Sequence, residues 1–189
     1  MLIFSGEHFA HSNGEPNRNE TAATLLSRYH GDAEEFIREL NGWFSGILVD
    51  RRRQTVMLFN DRFGVHRIYY HESKDAFVFA SEAKSILSVT PETRALDPAA
   101  LGQFLGFGSV FDNRTLFAGI SLLPGGSAWT IQGPAAIRKG TYFHRNQWTE
   151  QSTLDPTTFY TALRETVTKI LPSYFRAKAP VGVSLTGGL

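Results

Sequence analysis

The 189-residue chain contains no cysteine. Disulfides, thiolate zinc sites and cysteine nucleophiles are therefore excluded within it. An excess of one charge is also lacking: 19 basic residues stand against 18 acidic ones. That balance leaves no electrostatic footprint for nucleic acid. No apolar run approaches the roughly 20 residues needed to cross a bilayer. The start, Met1-Leu2-Ile3-Phe4-Ser5-Gly6-Glu7, has neither the basic opening nor the long apolar core of a signal peptide. The expectation is a cytoplasmic protein with no nucleic-acid and no membrane partner. His8, His11, His30, His66, His71 and His144 are scattered, and no pair has a carboxylate at ligand spacing, so no metal site is expected. No Gly-x-Ser-x-Gly elbow points to a serine hydrolase.

Apolar material is plentiful. Hydrophobic residues make up 42% of the chain and 15 are Phe, which is enough for a core and argues against general disorder. The length suits one domain and part of another. Leu2 to Phe4 reads as a short strand at the very start, which suggests that Met1 is not the natural beginning. His8 to Asn19 is polar, with Gly14 and Pro16, and reads as a loop. Helices are expected over Glu20 to Tyr29, with Leu25, Leu26 and Tyr29 inward, and over Ala33 to Leu40, with Phe36, Ile37 and Leu40 inward. Trp43 to Val49 is apolar on both faces, as in a strand covered on both sides. Thr55 to Phe59 alternates. Between them Arg51-Arg52-Arg53 reads as a solvated hairpin turn rather than a binding patch.

Further along, Ile68 to Tyr70 and Phe77 to Phe79 are short strands, and Glu82 to Leu87 a short helix. Asp97-Pro98 is an N-cap followed by proline at the first helical position, opening a helix that carries Leu101, Phe104 and Leu105. Ala128 to Ile131 and Thr141 to Phe143 read as strands closing a first domain. Arg145 to Thr153 is polar and aperiodic. Asp155-Pro156 starts another helix, with Phe159, Leu163, Val167 and Ile170 on one stripe and Pro172 ending it nearby. Val181 to Leu185 reads as a buried strand running into Thr186-Gly187-Gly188-Leu189. A strand followed by a glycine pair opens many phosphate sites, because side chains are removed where backbone N–H groups approach phosphate. It is also how an ordinary strand ends.

Several stretches in order go beyond such patterns. Leu40-Asn41-Gly42-Trp43-Phe44, then Asp61 to Tyr70, then Phe79-Ala80-Ser81-Glu82-Ala83-Lys84-Ser85-Ile86-Leu87, then Gly119-Ile120 with Leu123-Pro124-Gly125-Gly126, and finally Ser184 to Leu189 resemble the glutamine-hydrolysing asparagine synthetases. The resemblance covers nearly the whole chain. It implies an α+β fold class: a partial αββα sandwich of the N-terminal-nucleophile type, followed by the first helix and strand of an α/β ATP-pyrophosphatase domain. The corresponding division is 1–144 for a class II glutamine amidotransferase-like domain lacking its N-terminal part, 145–154 for a linker, and 155–189 for the start of the synthetase domain.

The family's glutaminase half uses an N-terminal cysteine thiolate against the glutamine amide, and ammonia leaves through an internal tunnel. With no Cys, the chain as given is expected to be inactive in that step. Ser5-Gly6-Glu7 matches the family's Asn-Gly-Glu segment, which contacts glutamine and builds the oxyanion hole; Ser5 replaces the Asn donor with a shorter hydroxyl. Read without the resemblance, Ser5-Gly6 is a strand-end turn and Glu7 merely exposed. The family's Asp for the glutamine α-amino group falls on Thr21, which has no charge to offer an ammonium. Asp61-Arg62-Phe63-Gly64 is read as structural, with Gly64 in a turn and Asp61 bonding local amides. Ser81 is expected to be an N-cap, with Glu82 in the positive first turn.

The synthetase half of the family uses ATP and Mg2+ to adenylate aspartate, which ammonia converts to asparagine. Thr186, Gly187 and Gly188 match its phosphate loop, with Thr for Ser, and Leu185 would lie against adenosine. Glutamine, aspartate and ATP are thus the expected small-molecule partners, and a homodimer the expected assembly of the intact protein. Two rivals stand beside a synthetase fragment: a cysteine-less relative forming another amide or a lactam, and a non-catalytic glutaminase-like binding module.

Overall fold

The computed structural model describes residues 1–9, 21–133, 136–175 and 182–184, apart from the side chains of 173 and 174. The chain divides into two units, Met1–His8 with Glu20–His144, and Phe9–Asn19 with Arg145–Leu189. In the first unit the described elements run β1 (Leu2–His8), α1 (Ala22–Ser27), α2 (Ala33–Glu39), β2 (Gly42–Asp50), β3 (Thr55–Asn60), β4 (Tyr69–Glu72), β5 (Phe77–Ala80), α3 (Ala83–Val89), α4 (Pro98–Phe107), β6 (Ser121–Leu122), β7 (Ser127–Ile131) and β8 (Ile137–Thr141). They build a mixed α+β fold around two sheets. One has five strands in the order β1-β2-β3-β7-β8, the other three in the order β5-β4-β6. All these pairings are antiparallel.

The amphipathic stripes of α1 and α2 set the first layer. Leu25, Phe36, Ile37 and Leu40 meet Phe44, Leu48 and Phe59 from one face of the five-stranded sheet. Asp32 caps α2 by accepting from the Glu34 and Glu35 amides at 2.9 and 3.0 Å, and those two acids suit the positive first turn. The other face of the large sheet contributes Leu58 and Trp129, which pack with Tyr70, Phe77 and Phe79 of the smaller sheet. The α3 helix packs on β4 and β5, with Ile86 fully buried. The layers therefore run helices, sheet, sheet, helix.

Several local expectations need correction. Thr55 to Phe59 does not alternate between core and solvent: Met57, Leu58, Phe59 and Asn60 are all buried, because β3 lies in mid-sheet and is covered on both faces. Trp43, read as buried on β2, is 44% exposed. The first strand does not stop at Phe4; it stays paired with β2 as far as His8 opposite Gly42. Ser81 is not the cap of α3. Glu82 occupies that position without a side-chain cap bond, its carboxylate turned to Lys84. The last strand is Ile137–Thr141 rather than Thr141 to Phe143. On α4, Asp97 caps as expected, accepting from the Ala99 and Ala100 amides at 2.9 and 3.1 Å. Phe104 and Leu105 nevertheless stay exposed, and the helix buries Ala100.

In the second unit the described elements are α5 (Asn146–Thr149) and α6 (Pro156–Phe175). Asp155 accepts from the Thr157 and Thr158 amides at 3.0 and 3.1 Å and so caps α6. The stripe of Phe159, Leu163 and Val167 is exposed. Pro172 lies in the last described turn of this helix, which is described to Phe175; a proline near a helix end removes one N–H bond and leaves the last turn intact. Residues 182–184 carry no regular structure. The predicted nucleotide-loop residues Leu185, Thr186, Gly187 and Gly188 lie outside the described residues, as does most of the predicted loop from His8 to Asn19.

Candidate functional site

Ser5, Gly6 and Glu7 lie within β1, not at a strand-end turn. Leu2 and Phe4 point into the helix layer. Strand alternation then sends Ile3, Ser5 and Glu7 to the opposite face. Ser5 and Glu7 are exposed there.

Two glycines shape this segment. Gly6 has φ +119°, and a Cβ on it would lie 2.0 Å from the Trp43 carbonyl oxygen. Across the ladder, Gly42 has φ +147°, and a Cβ there would lie 2.0 Å from the Glu7 carbonyl oxygen. Only glycine fits either place. The two strands approach more closely here than side-chain-bearing residues permit, and the backbone of Ser5 to Glu7 is fixed by that approach.

Register extends the site across the sheet. Directly opposed residues share a face. Ser5 stands opposite Ser45, and Ser45 opposite Asn60. The Asn60 side-chain oxygen accepts the Ser127 amide at 3.0 Å, and Ser127 stands opposite Thr141. A row of hydroxyl and amide side chains thus crosses five strands. Its inner part is structural: Asn60 is fully buried and donates to the Leu123 carbonyl at 3.2 Å. Tyr142 donates to the Asn60 carbonyl at 2.8 Å, and burial pushes its phenol above the ordinary value. Its outer part, Ser5 and Ser45, is accessible. Glu7 and Trp43 form the neighbouring cross-strand pair. Only the β1–β2 register, and no local pattern of sequence, puts Ser45 beside Ser5.

Thr21 and Asp61 make their hydrogen bonds within the fold. Thr21 is the N-cap of α1; its hydroxyl accepts from the Thr24 amide at 3.2 Å and meets the Thr24 hydroxyl at 3.1 Å. It belongs to the helix layer, and no hydrogen bond joins it to Ser5, Gly6 or Glu7. Asp61 is fully buried and accepts the Phe63, Val65 and His66 amides at 3.0, 3.1 and 3.0 Å. With Gly64 at φ +66°, it holds a tight loop, as expected of a structural residue. A cleft of 840 Å³ beside Tyr29 and Arg51–Arg53 lies at the Met1 end of β1 and includes none of Ser5, Gly6 or Glu7. Among the described residues no group of three His, Asp or Glu side chains is placed to hold a metal ion, and no helix is long and apolar enough to cross a membrane.

Residues 8–143 match a family described as a glutamine amidotransferase domain. The chain belongs to that family. The chain is 29% identical over 173 residues, 92% of its length, to asparagine synthetase [glutamine-hydrolyzing] 1 of Bacillus subtilis, covering 27% of that protein. It is 25% identical to asparagine synthetase B [glutamine-hydrolyzing] of Escherichia coli over 87% of the chain and 24% of that protein. A probable asparagine synthetase [glutamine-hydrolyzing] of Schizosaccharomyces pombe is 28% identical over the same shares, 87% and 24%. The chain thus spans about a quarter of the length of the curated relatives it matches.

Proposed function

We propose that this chain forms the glutamine-handling part of an ATP-dependent, glutamine-hydrolysing asparagine synthetase. The match of residues 8–143 to a glutamine amidotransferase domain carries this reading. In it, Ser5 donates its hydroxyl to the side-chain amide of glutamine. Gly6 lets the ligand and the β2 backbone come close to the strand, and Glu7 offers a carboxylate to the α-ammonium. Thr21 cannot share that last task, being uncharged and engaged as a helix cap. The thiol that attacks the amide must come from outside these 189 residues, which hold no cysteine. Aspartate and MgATP would be the other substrates.

Assay of the full-length protein with aspartate and MgATP tests this. Asparagine and glutamate formed together from glutamine support it. Product from ammonium but not glutamine favours the second reading, a cysteine-less amide-forming relative, which the Ser5 and Thr21 departures bring forward. No product from either donor, with glutamine still bound, leaves a binding module.

A further inference from the structure

We infer that Ser45 is a second hydroxyl donor to the substrate's carboxamide, acting as a pair with Ser5. The inference rests on the reading of Ser5 to Glu7 as a glutamine site and adds a residue that the reading does not contain.

The two serines are direct cross-strand partners. Such partners have Cβ atoms about 4.5–5.5 Å apart on one face, so their hydroxyls can converge on one oxygen acceptor. A carbonyl oxygen has two lone pairs and accepts two donors. Neither serine hydroxyl makes a hydrogen bond to another described residue, whereas the next polar group in the row, Asn60, spends its amide on Ser127 and Leu123. Ser127 is only 1% exposed, so its hydroxyl is out of a ligand's reach. The accessible donors at the β1–β2 end of the row are therefore Ser5 and Ser45, with Thr141 exposed at the far end on β8. A serine is too short to do alone what a longer amide does, and the second hydroxyl makes up the difference. The surroundings suit a small amino acid: Glu7 and Trp43 lie on one side of the pair, Ile3 and Ile47 on the other.

Calorimetric titration of the full-length protein with L-glutamine tests the pair. Ser45→Ala is expected to weaken binding about fivefold to tenfold, the worth of one neutral hydrogen bond. Ser45→Thr keeps a hydroxyl on a side chain that strands favour and is expected to retain most of the affinity. Ser5→Asn placed in the Ser45→Ala protein is expected to restore binding, since the longer amide spans the lost position. Melting curves should coincide for all variants, because Ser45 bonds nothing in the fold. If Ser45→Ala binds glutamine as the unsubstituted protein does while Ser5→Ala is weakened, the inference falls and the functional reading stands. Ser45→Thr falling as far as Ser45→Ala also overturns it. If the unsubstituted protein does not bind glutamine, both readings fail together.

Discussion

The two faces of the five-stranded sheet are built from the same strands and do different work. The helix-covered face is closed by aromatic packing: Phe4 stacks on Phe44 at 5.5 Å, and Phe44 meets Phe59 edge-on at 6.0 Å. The opposite face is equally closed over β3 and β7, where the smaller sheet covers Leu58 and Trp129. Over β1 and β2 it is open, with Ile3 53% and Trp43 44% exposed and Ser5 between them. Stability is concentrated where both faces are covered. Where one face is open there is room for a ligand, and there the close approach of the β1 and β2 backbones at Gly6 and Gly42 adds to the packing of Phe4 on Phe44.

The largest effect should come from the closed face. Phe59 is fully buried, and Phe59→Ala is expected to cost about 3–5 kcal/mol through lost transfer energy and the cavity left behind. Denaturant unfolding measures it. Glutamine affinity per folded molecule should be unchanged, since Phe59 is on the far side of the sheet from Ser5. A parallel loss of affinity would mean the two faces are not separable.

A somewhat smaller stability effect with a larger functional one is expected at Gly6. A Cβ at this position runs into the Trp43 carbonyl oxygen, and φ +119° is unfavourable for any L side chain. Gly6→Ala is expected to destabilise by about 2–3 kcal/mol, in line with the cost of a strained backbone, and to abolish glutamine binding as β1 separates from β2. If Gly6→Ala binds glutamine normally, the close approach is a feature of folding alone.

The contrast between the faces also explains what the sequence makes legible. Leu25, Phe36, Ile37 and Leu40 recur at helical spacing because one side of each helix meets the closed face, so α1 and α2 are readable. The Asp61 loop and the Asp97 cap are readable because local amides answer local carboxylates. By contrast, β3 misleads: alternation requires one wet face, and β3 has none. The edge strand β8 is hidden by the exposed Arg138 and Lys139. Gly6 and Glu7 are proposed as site residues through resemblance, while the placing of Ser45 beside Ser5 depends on a pairing of residues forty positions apart, which no local pattern encodes.

The smallest effect separates the faces by pH. The helix layer is tied to the sheet by a titratable pair: Tyr29 donates to Asp50 at 2.8 Å, and Asp50 also accepts the Arg52 and Arg53 amides. The Tyr29 bond, followed by those amides, holds the Asp50 carboxyl below its ordinary 3.8. Its contribution is present above that value and is lost as pH falls through the lower folded one. Burial, then the bond to Asp50, pushes Tyr29 up to about 12 from 10.0. That contribution is present below pH 10 and lost as pH rises through about 12. On the open face Ser5 and Ser45 are neutral hydroxyls, which do not titrate in either range. Tyr29→Phe should therefore flatten both ends of the stability–pH curve slightly, with Ser45→Ala leaving its shape unchanged. Urea midpoints from pH 3 to 11 measure this. A Tyr29→Phe curve that overlies the unsubstituted one would show that the closed face is held by packing alone, with the helix layer needing no polar tie to the sheet.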